Sequence, residues 1–214
     1  MTRLVLISDT HNLWQPELPD GDILIHAGDL TMGGQPNEIV ATIRWLGAQT
    51  KRYEAVITTA GNHDFFAESY PMTMHAYCME NGVKYLLNRG TTVHGINIWG
   101  SPVSPWFHDW AFGPHRGLDI KRYWDMIPDD TDVLITHGPP ARVLDLCPGG
   151  NVGCEDLLEA VKRVQPRLHV FGHIHQGRGE TELPGLRTHF VNAAVLDANY
   201  KPAGGAFVFD IDEP

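Results

Sequence analysis

Five short clusters of Asp, His and Asn stand at the ends of apolar runs: Asp9-x-His11, Gly28-Asp29, Gly61-Asn62-His63-Asp64, His137 and Gly172-His173-x-His175. Carboxylates, imidazoles and an amide oxygen together suit borderline divalent cations such as manganese, iron or zinc, and no thiolate stands among them to favour softer ions. A shared carboxylate can hold two such ions ~3.5–4 Å apart, the geometry used for in-line displacement at phosphorus. Asp29, alone in its cluster, is the natural bridge. Imidazole also exchanges protons near neutral pH, so one histidine of the set can act as acid or base and not as ligand. Each cluster alone also fits a capped turn. Five of them, on successive strand ends, do not.

The elements that must position these residues follow from the apolar pattern. Continuous apolar runs, without alternation, predict buried strands over 3–8, 22–27, 54–59, 132–136 and 168–171. Helical spacing of Ile39, Ile43 and Leu46 after Pro36 predicts a helix to about Gln49, and Leu157, Leu158, Val161 and Val164 predict a second over 155–164. Residues 65–81 read as mostly helical with a break at Pro71. Strands are expected over 83–87, 91–93 and 97–100 around a turn at Gly95, and a short helix near 119–126. Closing strands are expected over 187–191 and 206–211. Residues 101–117, with three prolines and several aromatic rings, read as a long ordered loop, and 142–152 as another. Strands alternating with helices imply α/β layers, in which ligands bind beyond the carboxyl ends of the strands. All five clusters lie at such ends. Within Asp9/His11 and His173/His175, residues two apart point to one side of an extended segment.

Composition excludes several classes. The 214 residues fit one domain over 1–214, with 43% hydrophobic and 20% charged residues. A formal charge of −10 opposes non-specific nucleic-acid or anionic-membrane binding but not a phosphate substrate, since bound cations would dominate the local field. Three cysteines without a CxxC pair argue against a disulfide framework. No apolar run approaches the ~20 residues needed to span a bilayer, and the run near the start is too short for a signal sequence. A cytoplasmic location is the expectation, and the oligomeric state is left open.

The cluster order resembles that of the calcineurin-like metallophosphoesterases. Ser8-Asp-Thr-His11, Ile25-His-Ala-Gly-Asp29, Trp99-Gly-Ser-Pro102, Pro105-Trp-Phe107, Asp109-Trp-Ala-Phe112 and His169-Val-Phe-Gly-His-Ile-His175 are similar to the small metallophosphoesterase-domain-containing subfamily. The resemblance implies a four-layer α/β/β/α sandwich with two mixed sheets face to face. It implies that Asp9, His11 and His175 hold one metal and Asn62, His137 and His173 the other, with Asp29 bridging and His63 as a non-ligand catalytic histidine. Protein Ser/Thr phosphatases of the family follow Gly-Asp with Asp-Arg-Gly and place Glu after Asn-His. Leu30-Thr-Met-Gly-Gly34 and Asp64 stand here instead, which counts against that branch.

The expected activity is dinuclear phosphoester hydrolysis, with manganese the first expectation and iron, zinc, magnesium or nickel the others. Hydroxide generated between the metals would attack phosphorus, and His63 would protonate the leaving group. Asp64, placed with the catalytic residues, either orients His63 or caps the turn. His26, Trp106 and His108 are the candidate substrate contacts. His26 is equally a packed strand histidine, and the aromatic loop of 105–114 either walls the site or packs on itself. The resemblance favours small phosphodiesters such as cyclic nucleotides. The alternatives are a nucleotide or small-molecule phosphomonoesterase, and a non-catalytic nucleotide-binding or interaction protein on the same fold. No stable nucleic-acid complex and no membrane association are expected.

Overall fold

A computed structural model describes residues 1–212. Its first sheet contains β1 (Thr2–Ile7), β2 (Ile23–His26), β3 (Ala55–Thr58), β4 (Val83–Tyr85) and the closing strand β13 (Phe207–Ile211). The second contains β5 (Arg89–Val93), β6 (Ile96–Ser101), β7 (Val133–Thr136), β10 (Leu168–Phe171), β11 (Gly179–Glu182) and β12 (His189–Asn192). The strand orders are β13-β1-β2-β3-β4 and β11-β12-β10-β7-β6-β5. β1 to β4 run parallel, as do β6, β7, β10 and β12, while β13, β5 and β11 pair antiparallel. Both sheets are therefore mixed.

The unbroken apolar strands have a physical explanation, because each is covered on two faces. Leu4, Leu6, Ile23, Ile25 and Ile57 meet Ile98, Ile135 and Val170 between the sheets. The alternate residues Val5, Ile7, Leu24 and Val56 turn outward onto Ile39, Ile43, Leu46, Met74 and Cys78, which belong to α1 (Pro36–Gln49) and α3 (Pro71–Glu80). On the far side Leu134, Phe171 and Phe190 meet Ile120, Trp124, Leu157 and Val161 of α4 (Leu118–Trp124) and α5 (Glu155–Val164). Side chains two apart on a strand share a face and neighbours leave on opposite faces, so each strand serves two cores. The expected four-layer α/β/β/α sandwich is what forms. Truncating one of these fully buried side chains to Ala costs ~2–5 kcal/mol.

Pro71 splits residues 65–81 as expected, into α2 (Phe65–Ser69) and α3. Two expectations need correcting. Residues 142–152 are not all loop but contain the hairpin β8 (Leu146–Cys147) and β9 (Gly150–Asn151). The strand expected over 187–191 lies two residues later at its start, and β11, with the alternating exposure of an edge strand, precedes it. All three cysteines are free. No described helix is long and apolar enough to cross a membrane.

Candidate metal centre

Parallel strands put the carboxyl ends of each sheet on one rim, where backbone bonds tie neighbouring strand ends together and join one rim to the other. Asp9 N–H donates to Gly28 O (3.0 Å), Gly172 N–H to His137 O (2.9 Å) and Val195 N–H, from the second sheet's side, to Ser8 O (3.0 Å). The turns needed there are sharp. Asp9, His11, Asp29 and His173 all adopt left-handed backbone, with φ of 57°, 50°, 53° and 66°. Non-glycine residues rarely do so, and such strain gathers at functional sites. Two glycines are needed for a different reason, which is close approach. A Cβ on Gly61 would collide with Asp29 Oδ1, and one on Gly172 with Asp9 Oδ2.

The clusters converge. Asp9, His11 and His175 bring ligand atoms within 4.8 Å of one another, as do His11, Asp29 and His63, and Asp29, His137 and His173. Asp29 Oδ1 lies 3.3 Å from His137 Nε2, while its Oδ2 lies 3.6 Å from His11 Nε2 and 4.0 Å from His63 Nε2. Asp9 Oδ1 lies 3.4 Å from His175 Nε2 and 3.9 Å from His11 Nε2. Asn62 Oδ1 is 2.9 Å from His137 Nε2. Backbone donors hold the carboxylates still: His63 N–H on Asp29 Oδ1 at 2.9 Å, and His173 N–H on Asp9 at 3.0 and 3.1 Å.

The ring nitrogens supply the test of whether a cation fits. His11 Nδ1 faces Thr31 O (3.1 Å), His63 Nδ1 Met32 O (2.7 Å), His137 Nδ1 Ala27 O (3.1 Å) and His175 Nδ1 Asp197 O (2.8 Å). A carbonyl only accepts, so each Nδ1 carries the proton and each neutral ring turns a bare Nε2 lone pair to the centre. His11 Nε2 and His175 Nε2 are then 3.3 Å apart, lone pair to lone pair. Such a contact is stable only with a proton or a metal cation between the rings. The donor set fits divalent metal.

Without metal, protons take that place. Burial lowers the His137 ring's affinity for a proton, but the Asp29 carboxylate outweighs it and holds His137 at about 9. His175 is likewise opposed by burial and raised to about 9 by its bond to Asp9. Burial would raise the Asp9 carboxyl, yet His175 and His137 keep it at about 2. Asp29 is depressed against the same burial, chiefly by His137. His173, desolvated and beside His137, falls to about 4 and stays neutral.

Several candidate residues sit elsewhere than expected. Asp64 makes no direct bond to the His63 ring. Its Oδ1 accepts from Thr31 N–H (3.0 Å) and Thr31 Oγ1–H (2.7 Å), and its Oδ2 from Leu30 N–H (3.1 Å) and Gly61 N–H (2.8 Å), so it caps the turn. Burial and nearby Asp29 push this carboxyl up to about 6. His26 is wholly buried and cannot touch substrate. Its Nδ1 accepts from Gly28 N–H (3.3 Å), which leaves Nε2–H to donate to the Thr10 hydroxyl (2.9 Å), so it braces the loops of Asp9 and Asp29. Trp106 packs on His115 and His108 on Phe107, and neither lines the cleft.

The cleft over the centre holds about 250 Å³ and is walled by Phe107, Trp110, Gln176, Ala198 and Tyr200 above Asp29, Asn62, His63, His173 and His175. Trp110 lies 4.3 Å, ring to ring, from His63, and Tyr200 5.2 and 5.3 Å from His11 and His175. The aromatic loop does wall the site, but through Phe107 and Trp110. A roomier hollow of about 330 Å³ between α3, β4 and β5 contains none of the cluster residues. Asn192, at the end of β12, bonds Ile174 O (2.8 Å) and Ala194 N–H (3.2 Å) and so fastens the segment carrying His173 and His175.

A sequence model of the calcineurin-like phosphoesterase family matches residues 2–177. The human metallophosphoesterase domain-containing protein 1 is 40% identical over 238 residues, covering 100% of this chain and 72% of its own length. The UPF0046 protein C25E10.12 of Caenorhabditis elegans is 35% identical over 234 residues, covering 99% of this chain and 82% of its own. The solved structure of TT1561 of Thermus thermophilus superposes with a TM-score of 0.59 at 14% identity, covering 90% of this chain and 88% of its own, a likeness of fold.

Proposed function

The chain belongs to the calcineurin-like phosphoesterase family, and we propose that it is a dinuclear metal-dependent phosphodiesterase acting on small phosphodiesters, cyclic nucleotides among them. One observation carries the dinuclear reading. The two oxygens of Asp29 face opposite ways, Oδ1 toward His137 at 3.3 Å and Oδ2 toward His11 at 3.6 Å. Asp9, His11 and His175 would hold one ion, and Asn62, His137 and His173 the other. Bound ions would supply a nucleophile from water at neutral pH and neutralise charge developing at phosphorus.

The chain's own residues do the rest. The Met32 carbonyl fixes the His63 proton on Nδ1, so Nε2 faces the cleft. Protonated there as well, His63 donates to the departing oxygen, a contribution of ~10²–10⁴-fold. Trp110 packs against its ring at a tilt of 36° and covers that side. Cleft-lining residues include Phe107, Trp110 and Tyr200 but no Lys or Arg. A diester carries less negative charge than a monoester dianion and brings a second organic group for these rings, and this favours the diester.

The test compares bis(4-nitrophenyl) phosphate with 4-nitrophenyl phosphate, using manganese-loaded protein, a chelator control and His63→Ala. Faster diester turnover, abolished by chelator and reduced ~10²–10⁴-fold by His63→Ala, is expected. Full activity in His63→Ala would remove the proton-donor role. A monoester preference would make the protein a phosphatase, and inactivity on both substrates with metal bound would make it a binding protein.

A further inference from the structure

Asp64, Thr31 and Met32 form a device that the proposed reaction does not account for. The Asp64 carboxylate is buried and accepts four hydrogen bonds, from Leu30 N–H, Thr31 N–H, Thr31 Oγ1–H and Gly61 N–H. The far end of the same segment is held separately. Glu38, in the first turn of α1, accepts from Met32, Gly33 and Gln35 N–H at 3.2, 3.2 and 2.8 Å. Thr31 Oγ1 also accepts from Gly34 N–H (3.1 Å), which closes the turn. A peptide unit is planar and trans, so Glu38, by holding Met32 and Gly33 N–H, aims the Thr31 and Met32 carbonyls the opposite way, while Asp64 and the Thr31 hydroxyl anchor the residues on either side. Thr31 O meets His11 Nδ1 and Met32 O meets His63 Nδ1.

We propose that Asp64 and Thr31 are positioning residues which, by anchoring residues 30, 31 and 34 around the peptide units that Glu38 holds, set the tautomer and aim of two histidines at once: His11 in the centre and His63 beside it. The inference rests on the reading of the site given above, but its central claim concerns ring protons and is open to measurement without turnover. His63 lies next to Asp64 in sequence, yet Asp64 acts on it through a loop some 30 residues earlier in the chain. The carboxylate is suited to this because all four groups facing it are donors. An amide there would turn its own NH₂ toward two of them.

The test uses full-length zinc-loaded protein, Thr31→Val and Thr31→Ser, with Asp64→Asn as the severer change. Thr31→Val removes the hydroxyl bonds to Asp64, Gly34 and the His63 carbonyl but keeps every backbone group, so it remains informative if Asp64→Asn fails to fold. Nitrogen-15 correlation spectra of the imidazoles report the tautomers. The neutral form of wild-type His63 is expected as pure Nδ1–H, and that of Thr31→Val as a mixture with Nε2–H. Zinc affinity should fall ~10-fold, the usual cost of losing support behind a ligand, and kcat should fall with KM unchanged. Thr31→Ser should restore all three. A Thr31→Val protein with wild-type His63 tautomer would overturn the proposal whatever its activity. Equal losses in Thr31→Ser and Thr31→Val would also overturn it, because they would trace to packing of the methyl group. A wild-type protein with the expected tautomers but no hydrolysis would instead count against the assigned reaction.

Discussion

The two proposed halves of the centre each combine two histidines with one oxygen donor, Asp9 in one and Asn62 in the other, but they are built differently. In the half made of Asn62, His137 and His173, His137 directly follows β7, and its Nδ1 is held by the carbonyl of Ala27, directly after β2. Both supports are sheet ends, and His137 is fully buried. In the half made of Asp9, His11 and His175, the supporting carbonyls are Thr31 and Asp197, both in loops. His175 itself opens a short 3-10 turn, and Tyr200, from the same loop as Asp197, packs its edge on both rings. Loops open locally at lower cost than central strands. One half is therefore preformed by the fold, and the other depends on how two loops sit.

The largest effect should come from the residue the halves share. Asp29→Asn removes the charge that both face, so dialysed protein should retain at most one ion per chain, and diester turnover should fall about 10³-fold. Metal analysis that still found two ions would dissolve the picture of two halves joined by one carboxylate.

Next come the substitutions that separate the halves. His137→Ala should lose one ion and also destabilise the metal-free chain by ~2–4 kcal/mol, because it empties a buried site and strands the Ala27 carbonyl. His175→Ala should lose one ion with a smaller destabilisation, its partner carbonyl lying in a loop that water can reach. Thermal melts of the two metal-free variants check this. Equal shifts would erase the distinction.

The smallest effect is one the halves should share. His137 and His175 are raised to about 9 from 6.5, so metal-free protein holds a proton on each at neutral pH. Each ion must displace one, and affinity for each should rise ~10-fold per pH unit up to about pH 9, then level off. For the metal-free fold the sign is opposite. The stability these rings contribute is fully present below pH 6.5 and lost as pH rises toward 9. Calorimetric metal titrations at several pH values, in buffers of different ionisation heat, would count the protons. Release of none would show that the rings are neutral before metal arrives.

Much of this was legible from residue types. A ligand must be a particular side chain at a strand end, and the sequence displays both the side chain and the apolar run that precedes it. Asp9, Asp29, Asn62, His137 and His173 are of this kind, and they do converge. Support by backbone carbonyls has no such signature, because every residue has a carbonyl. Met32 and Asp197 therefore could not be singled out, and Asp64, the charged neighbour of His63, was the visible but misleading candidate for its partner. Trp106 and Trp110 failed to separate for a related reason. Both lie in an irregular loop without periodicity, so nothing in the order of residues tells which ring turns to the cleft. The β8–β9 hairpin, with two residues a side, is too short for alternation to show.

The sequence by itself determined the layers and the ligand chemistry, since apolar periodicity dictates which faces are buried and donor-atom type dictates which ions suit the cluster. Tertiary structure decided which ring nitrogen points inward, which aromatic rings wall the cleft, and that Asp64 bonds Leu30, Thr31 and Gly61 and not the His63 ring. Those depend on the direction of single backbone groups in turns. That direction is set by contacts between segments far apart in the chain and not by the residues of the turn alone.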